Sequence, residues 1–457
     1  MLNLKLSIAI TVFLCAVLSI WLPSLQNTIT VLTALFGLLE VYSQRDRIKA
    51  FVTPPPPPPP IDPTCGDRPI DLADQRLHVS LTFGAYFTSL LEKEQLYTDI
   101  PGQLVCARAA QSHIHDPLQY AMWTLIDAEG ARILLLAAEG GMGKSTLASK
   151  LIRCLYARED IDMILGDSAK RHVINPTTGS VDTIQPGYDS ASSFLERVSA
   201  QLGLVYQPHL SEAQQITNIR DRLIGRRAII VVDNLESVQH SDKLIAILAS
   251  LVGRHIRAII TTRVSSGFQE SQSHLLSIRI KPLTDITQAR NFVQWHIQRF
   301  QSDHPRLALL AQHVPSDDHM AWLLRHSGGI PLLIQVLVSE VARTSWMNVM
   351  NRNELFGQQL LDTLYLDHWK ELGTIARTGN LARTILEYIL REMHYGGRIT
   401  YQQLQQVASE HQLHDLLDAA LALLHERFLI INNDLVHGNF SMYPSLADFV
   451  QQQLLTE

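Results

Sequence analysis

The apolar positions of this chain fall into two kinds of run. The first kind opens it. Leu6 to Leu22 is seventeen residues without a charge, ten of them Leu, Ile, Val or Phe. At roughly −0.3 to −0.6 kcal/mol per such residue, this favours a bilayer by about 3–6 kcal/mol. A second uncharged segment runs from Leu25 to Leu39, about 22 Å as a helix against a hydrocarbon core of about 30 Å. Lys5 precedes the pair, and Arg45, Arg47 and Lys49 follow it. Basic flanks stay on the cytoplasmic side, so residues 1–43 are predicted to form a transmembrane helical hairpin, turning at Gln26 to Thr28, with the lipid bilayer as partner of residues 6–39. The alternatives are a secretory signal, one span plus an interfacial helix, or a buried helical pair. A signal peptide leaves the second run unexplained, and no small-residue cleavage pattern follows.

The second kind of run is short and continuous. Ile133 to Ala137, Ala228 to Val232 and Ala258 to Thr262 each read as a parallel strand covered on both faces. Helical patterns lie between and around them, at 117–130 and from Ala191 to Leu204. Towards the C-terminus three more helical stretches, at 381–393, 400–411 and 414–429, lead into a hairpin at 429–440 that turns at Asn432-Asn433-Asp434. Before the strands, the seven prolines Pro54 to Pro60 form a polyproline rod of about 22 Å within a linker at 44–63. An SH3-type ligand is the other reading, although no basic residue adjoins the run. Residues 64–115 are predicted to be mostly helical, most clearly from Leu77 to Lys93, and carry no recognisable chemistry.

Composition narrows the class. With 457 residues, 46% hydrophobic and 18% charged, the chain fills several cores, and global disorder is excluded. A net charge of −6 provides no basic field for nucleic acid. Cys15, Cys65, Cys106 and Cys154 form no CxxC pair, which argues against a zinc site or a disulfide framework.

The chemistry sits after the first short strand, in AEGGMGKSTLASKLIRCL. Strand, glycine loop and helix is the context a phosphate-binding loop requires. Gly140, Gly141 and Gly143, with Met142 between them, turn backbone N–H groups around phosphate oxygens at a helix N-terminus that continues through Thr146. Lys144 is the residue expected at the β- and γ-phosphates, and Ser145 at Mg2+. The first loop position is Ala138 instead of glycine. Asp233 ends the second strand, where it would hold Mg2+ through water. Asn234 follows where many ATPases place a second carboxylate, so hydrolysis is expected to be slow. Glu236 is the candidate for positioning water. Arg263 ends the third strand, either as a γ-phosphate sensor or as an ordinary solvated arginine.

The order AEGGMGKST, VVDNLE, IITTR resembles the NB-ARC branch of the STAND signalling ATPases. SGGIPLLIQVLVSEVA is similar to that family's glycine-x-proline motif, with Gly329, Ile330 and Pro331. From the residues alone, Pro331 suits the first turn of an apolar helix; the resemblance implies that it packs against adenine. Ser168-Ala169-Lys170 is similar to a segment of many bacterial members. The C-terminal pattern resembles the family's winged helix. Its third helix, Gln412 to Phe428, carries Asp415, Asp418 and Glu426 against Arg427, which disfavours DNA as a partner. In MYPSLADFV, Met442 and Pro444 match the family's final motif, but Tyr443 stands where the family has a histidine at the β-phosphate of ADP.

The resemblance covers roughly residues 116–457. It implies an α/β P-loop NTPase domain at 116–280 (parallel sheet, helices on both faces), a small helical lid domain at 281–345 and a winged-helix domain at 346–457. The expected function is a membrane-anchored ATP/ADP switch in signalling or defence, with nucleotide-controlled homo-oligomerisation, slow hydrolysis and the nucleotide domain in the cytoplasm. The sensor is expected to be either a separate partner protein, the segment at 64–115 or the winged helix. The rival expectations are a membrane-tethered transcription regulator and a constitutive membrane ATPase.

Overall fold

The computed structural model describes residues 76–79, 104–105, 117–126, 130–263, 275–302, 305–311, 315–352, 354–394, 399–432 and 439–456. The hairpin expected at 1–43, the linker at 44–63, most of 64–115 and the turn residues Asn433 and Asp434 lie outside them. Among the described residues, no helix is long and apolar enough to cross a membrane.

The short apolar runs do form a sheet. β1 (Leu77–Val79), β2 (Leu104–Val105), β3 (Ile133–Ala137), β4 (Met163–Ser168), β7 (Ala228–Asp233), β8 (Ile256–Thr262) and β9 (Leu275–Ile280) pair in the order β1-β4-β7-β8-β3-β9-β2. All these pairings are parallel except β2 with β9. Successive residues face opposite sides. Leu134, Leu136, Ile229, Val231 and Ile259 join one apolar cluster, and Ile133, Leu135, Ile230, Val232 and Ile260 join the other. That is why these strands are continuously apolar.

The strand Leu77–Val79 corrects the start of the helix expected from Leu77 to Lys93; residues 80–93 lie outside the described residues. The strand pairs with β4 from Leu77 opposite Ile164 to Val79 opposite Gly166, and the Ile164 amide donates to the Arg76 carbonyl at 2.8 Å. Three residues have little conformational preference of their own. The outer edge of β4 carries backbone donors and acceptors that need partners, and pairing satisfies them.

The sheet is flanked by α1 (Pro117–Ile126), α2 (Lys144–Tyr156), α3 (Ala191–Gln201), α4 (Glu212–Arg222) and α5 (Ser241–Leu251). A separate hairpin, β5 (His172–Ile174) with β6 (Val181–Thr183), branches off after β4. Next come α6 (Ile286–Phe300), α7 (Pro305–Ala311), α8 (Asp317–Ser327), α9 (Pro331–Arg343) and α10 (Trp346–Met350). Ser316 caps α8 in a reciprocal capping box, and Pro331 begins α9, where its missing N–H has no intrahelical partner to lose.

The C-terminal part holds α11 (Gln358–Thr374), α12 (Ala376–His394), α13 (Tyr401–Glu410) and α14 (Leu417–Glu426), then β10 (Ile431–Asn432) antiparallel to β11 (Phe440–Ser441), and α15 (Pro444–Thr456). The sequence reading did not single out α11. One apolar cluster runs from the sheet face through Phe292 of α6 and Leu337 of α9 to Leu361 and Leu364 of α11 and Phe449 of α15. The sheet, the α6–α9 helices and the C-terminal helices therefore share a core on the side where the glycine loop emerges. Cys154 of α2 is disulfide-bonded, contrary to the expectation from cysteine spacing; the other three cysteines lie outside the described residues.

Candidate functional site

The loop after β3 begins α2 at Lys144, with Gly143 as its N-cap at φ 88°. Gly141 has φ 79°. Side chains with a Cβ are strained there, so the motif's glycines at these two positions are a backbone requirement. The Lys144 ammonium is folded back onto its own loop, donating to the carbonyls of Ala138 and Glu139 at 2.9 Å each. Burial pushes its pKa down to about 8, opposed chiefly by Glu236. A phosphate at the loop would offer this buried cation a charged acceptor in place of two neutral ones.

Asp233 closes β7 directly beside Ser168 of β4, and is 2% exposed. Its carboxylate accepts three hydroxyl hydrogen bonds of 2.7 Å. Ser145 and Thr261 donate to Oδ1, and Ser168 donates to Oδ2. The Ser145 hydroxyl and the Asp233 carboxylate are hard oxygen donors held in contact. Mg2+ takes such a pair together with waters and phosphate oxygens, so the donor set fits the ion. Among the described residues no group of three or more His, Cys, Asp or Glu forms a self-sufficient metal cage, and Mg2+ between protein and phosphates needs none.

Glu236, expected to position water, lies on the 3-10 turn Leu235–Ser237 and is engaged elsewhere. Its Oε1 pairs with Arg263 Nε at 3.1 Å, and its Oε2 accepts from the Arg263 amide at 3.1 Å. Arg263 in turn donates through Nη1 to the carbonyls of Thr363 and Leu364 of α11, at 3.2 and 2.8 Å. It is therefore not an ordinary solvated arginine. Asn234 takes a left-handed conformation, φ 67°, and its amide donates to Thr261 Oγ1 at 2.8 Å.

The cavity over the loop is lined by Gly140, Gly141, Gly143, Lys144, Ser145, Thr146, Asn234, Arg263 and Pro331. The structure thus gathers most of the residues singled out in the sequence. It adds Lys170, His172 and Ile174 from the β5 side, Phe292 and Trp295 of α6, and Gln335 of α9. Asp233, Glu236, Met142 and Tyr443 do not line it; Asp233 reaches it through Ser145 and Glu236 through Arg263. The Met142 side chain is buried in the core. Tyr443 is 6% exposed and sits so close behind Gly328 that a Cβ there would come within 2.7 Å of its ring. Burial pushes the Tyr443 hydroxyl pKa far up. The tyrosine expected at a β-phosphate instead packs against the turn preceding Pro331.

Glu139 is the group the sequence reading passed over. It is 1% exposed, and among the described residues no group makes a well-aligned hydrogen bond to either carboxylate oxygen. Burial raises its pKa to about 7, against the pull of Arg263, the Gly140 amide and Lys144. Its signal was present in the motif, as an acidic residue inside a loop meant for anions. The roles of Ser168 and Thr261 were not legible, since only strand pairing places them beside Asp233.

Residues 126–267 match the family described as an AAA domain. No curated protein matches the chain. Among solved structures, a Walker-type ATPase of Pyrococcus abyssi is similar at 13% identity, covering 73% of this chain and 94% of that one, with a TM-score of 0.46. The Cdc6 protein of Pyrobaculum aerophilum is similar at 13% identity over 75% of this chain and 95% of that one, TM-score 0.35. The ORC2 protein of Aeropyrum pernix is similar at 13% identity over 79% and 97%, TM-score 0.34. The segment carrying the loop and Asp233 is a P-loop NTPase domain, followed by a C-terminal helical region.

Proposed function

We propose that the chain is a membrane-anchored ATP/ADP switch of the STAND type, signalling or defensive, that hydrolyses ATP slowly and oligomerises when ATP replaces ADP. One observation carries the switch reading: two elements from outside the P-loop domain rest directly on the phosphate loop. From α9, the Leu332 amide donates to the Gly141 carbonyl at 3.2 Å; from α11, Leu364 packs at Gly140. A bound nucleotide therefore meets the lid and the C-terminal helices along with the loop, and differential contact is the means by which a ligand shifts a conformational equilibrium.

Lys144 and the loop amides would bind the phosphates, and Pro331 would face the base. Ser145 and Asp233 would hold Mg2+, which would supply neutralisation of phosphate charge. Arg263 would respond to a γ-phosphate. The order α12, α13, α14, β10, β11 supports a winged helix serving as a lid. The paired uncharged runs between Lys5 and Arg45 support the bilayer hairpin, with the nucleotide domain in the cytoplasm.

Two measurements test this. Lys144→Ala is expected to abolish binding of a fluorescent ADP analogue; retained tight binding would sink the site. The full-length chain is expected to stay with membranes in alkaline carbonate and to lose them when residues 1–43 are deleted; wild-type release in carbonate would sink the anchor.

A further inference from the structure

We propose that the N-terminal edge of the sheet carries a docking surface for an anionic lipid bilayer, built from the loop between α4 and β7 and the loop between α5 and β8. This second membrane contact lies on the P-loop domain itself, away from the nucleotide. It rests on the membrane-anchor reading only for the presence of a bilayer.

Parallel pairing sets the two loops side by side. β7 and β8 begin in register, Ala228 opposite Ile256, and the Ala228 amide donates to the His255 carbonyl at 2.9 Å. The chain entering the two strands reads IRDRLIGRR at 219–227 and GRHIR at 253–257. That is six arginines against one acid, Asp221, in a chain whose net charge is −6. Asp233 closes the other end of β7, about 20 Å from Arg227 at 3.3 Å per residue. A partner on this face leaves the phosphate loop free.

Three of the arginines are used by the fold. Arg257 is 3% exposed and donates to the Gly253 carbonyl. Arg227 pairs with Asp160, which also pairs with Arg158. Arg222 donates to the Leu202 carbonyl at 3.4 Å, which leaves its charge uncompensated. Among the described residues no acid pairs with Arg220, Arg226 or Arg254, and Arg220 and Arg254 are exposed. Gathered like charges repel one another and raise the local concentration of anions.

The same face leaves apolar side chains in water. Val205, 83% exposed, and Ile224, 74% exposed, are the large apolar side chains that the described part of the P-loop domain presents to solvent. Ile224 lines a groove with Leu223, Gly253, Arg254 and His255. Val205 lines a neighbouring groove, and Asp221 lines both. Ile224 sits in the turn after α4, next to Gly225 at φ 75°, where a Cβ would meet nothing within 4 Å. An aliphatic side chain on such a turn can enter the acyl boundary while the guanidinium groups beside it reach lipid phosphates. A nucleic-acid backbone would use the arginines and leave Val205 and Ile224 in water.

The test uses the full-length chain reconstituted into nanodiscs of phosphatidylcholine, with or without phosphatidylserine. Amide hydrogen exchange is followed over residues 220–227 and 253–256 at low and high salt. Each arginine near an anionic surface strengthens attachment about fivefold. The wild-type loops are therefore expected to exchange about fivefold slower or more in the phosphatidylserine discs, and to lose that protection at high salt. The double variant Arg226→Gln/Arg254→Gln is expected to lose most of it and Ile224→Ser part of it, with ADP affinity unchanged. Equal exchange in the two kinds of disc would overturn the docking surface, as would protection that survives the double variant. Protection that rises with protein concentration in neutral discs would give the face to a second copy, and protection by a duplex oligonucleotide would give it to nucleic acid; either overturns the lipid assignment. If the chain does not enter discs, the anchor reading falls by itself. The same exchange, measured on the full-length chain with and without phosphatidylserine vesicles, then decides the face.

Discussion

Glu139→Gln isolates the one buried carboxyl in the phosphate loop. The carboxyl has a pKa of about 7 in the folded protein against an ordinary 4.5. The folded state therefore binds the proton more tightly, and the stability Glu139 contributes at low pH is lost as pH rises from 4.5 through 7. Between pH 5 and pH 7 this loss comes to about 2 kcal/mol. Lys144, with a pKa of about 8, stays largely charged across that interval, so the carboxyl is the group being read. The glutamine side chain is nearly isosteric and does not titrate. For a P-loop domain of this size, 2 kcal/mol corresponds to about 4–8 °C in the unfolding midpoint. The assay is thermal unfolding of the full-length chain at closely spaced pH values, for wild type and variant in parallel. The two midpoints are expected to lie close together at pH 5 and to separate by pH 7, with the variant more stable. Curves that run parallel across the interval would refute the reasoning, because every other titrating group is shared.

Three further outcomes follow from the site. Asp233→Asn keeps an acceptor for Ser145 and Thr261 while turning an amide towards Ser168, so the fold and ADP binding are expected to survive while the Mg2+ dependence of ATP binding disappears; titrations with and without Mg2+ check this. Gly141→Ala forces a Cβ into φ 79° and to within 2.8 Å of Leu332 Cβ, which is expected to cost about 1–2 kcal/mol for the backbone alone and to lower the unfolding midpoint measured by calorimetry. Tyr443→Phe removes a hydroxyl outside the cavity lining, and ADP affinity measured by calorimetric titration is expected to change less than about twofold, well under 1.4 kcal/mol; a tenfold loss would return Tyr443 to the phosphate.

The sequence by itself determined the local chemistry of this protein. Gly141 and Gly143 followed by Lys144 and Ser145 leave little freedom, because a loop that turns its amides inward must be built from residues without a Cβ at positive φ. The runs ending in Asp233 and Arg263 were legible as strands because a parallel sheet covered on both faces needs continuous apolar residues. Leu77–Val79 was misread, since three residues take their conformation from the edge they meet. Helix α11 was readable in principle: Leu360, Leu361, Leu364, Tyr365, His368, Trp369 and Leu372 are its buried side and recur at helical spacing. What no spacing could convey is that its Leu364 lands on Gly140, a contact between residues 224 positions apart. The same holds for the gathering of Ser145, Ser168 and Thr261 around Asp233, which strand order alone produces. Only the tertiary structure decided that Arg263 and Glu236 face each other under α11 rather than facing solvent, because burial and pairing are properties of what the chain brings together.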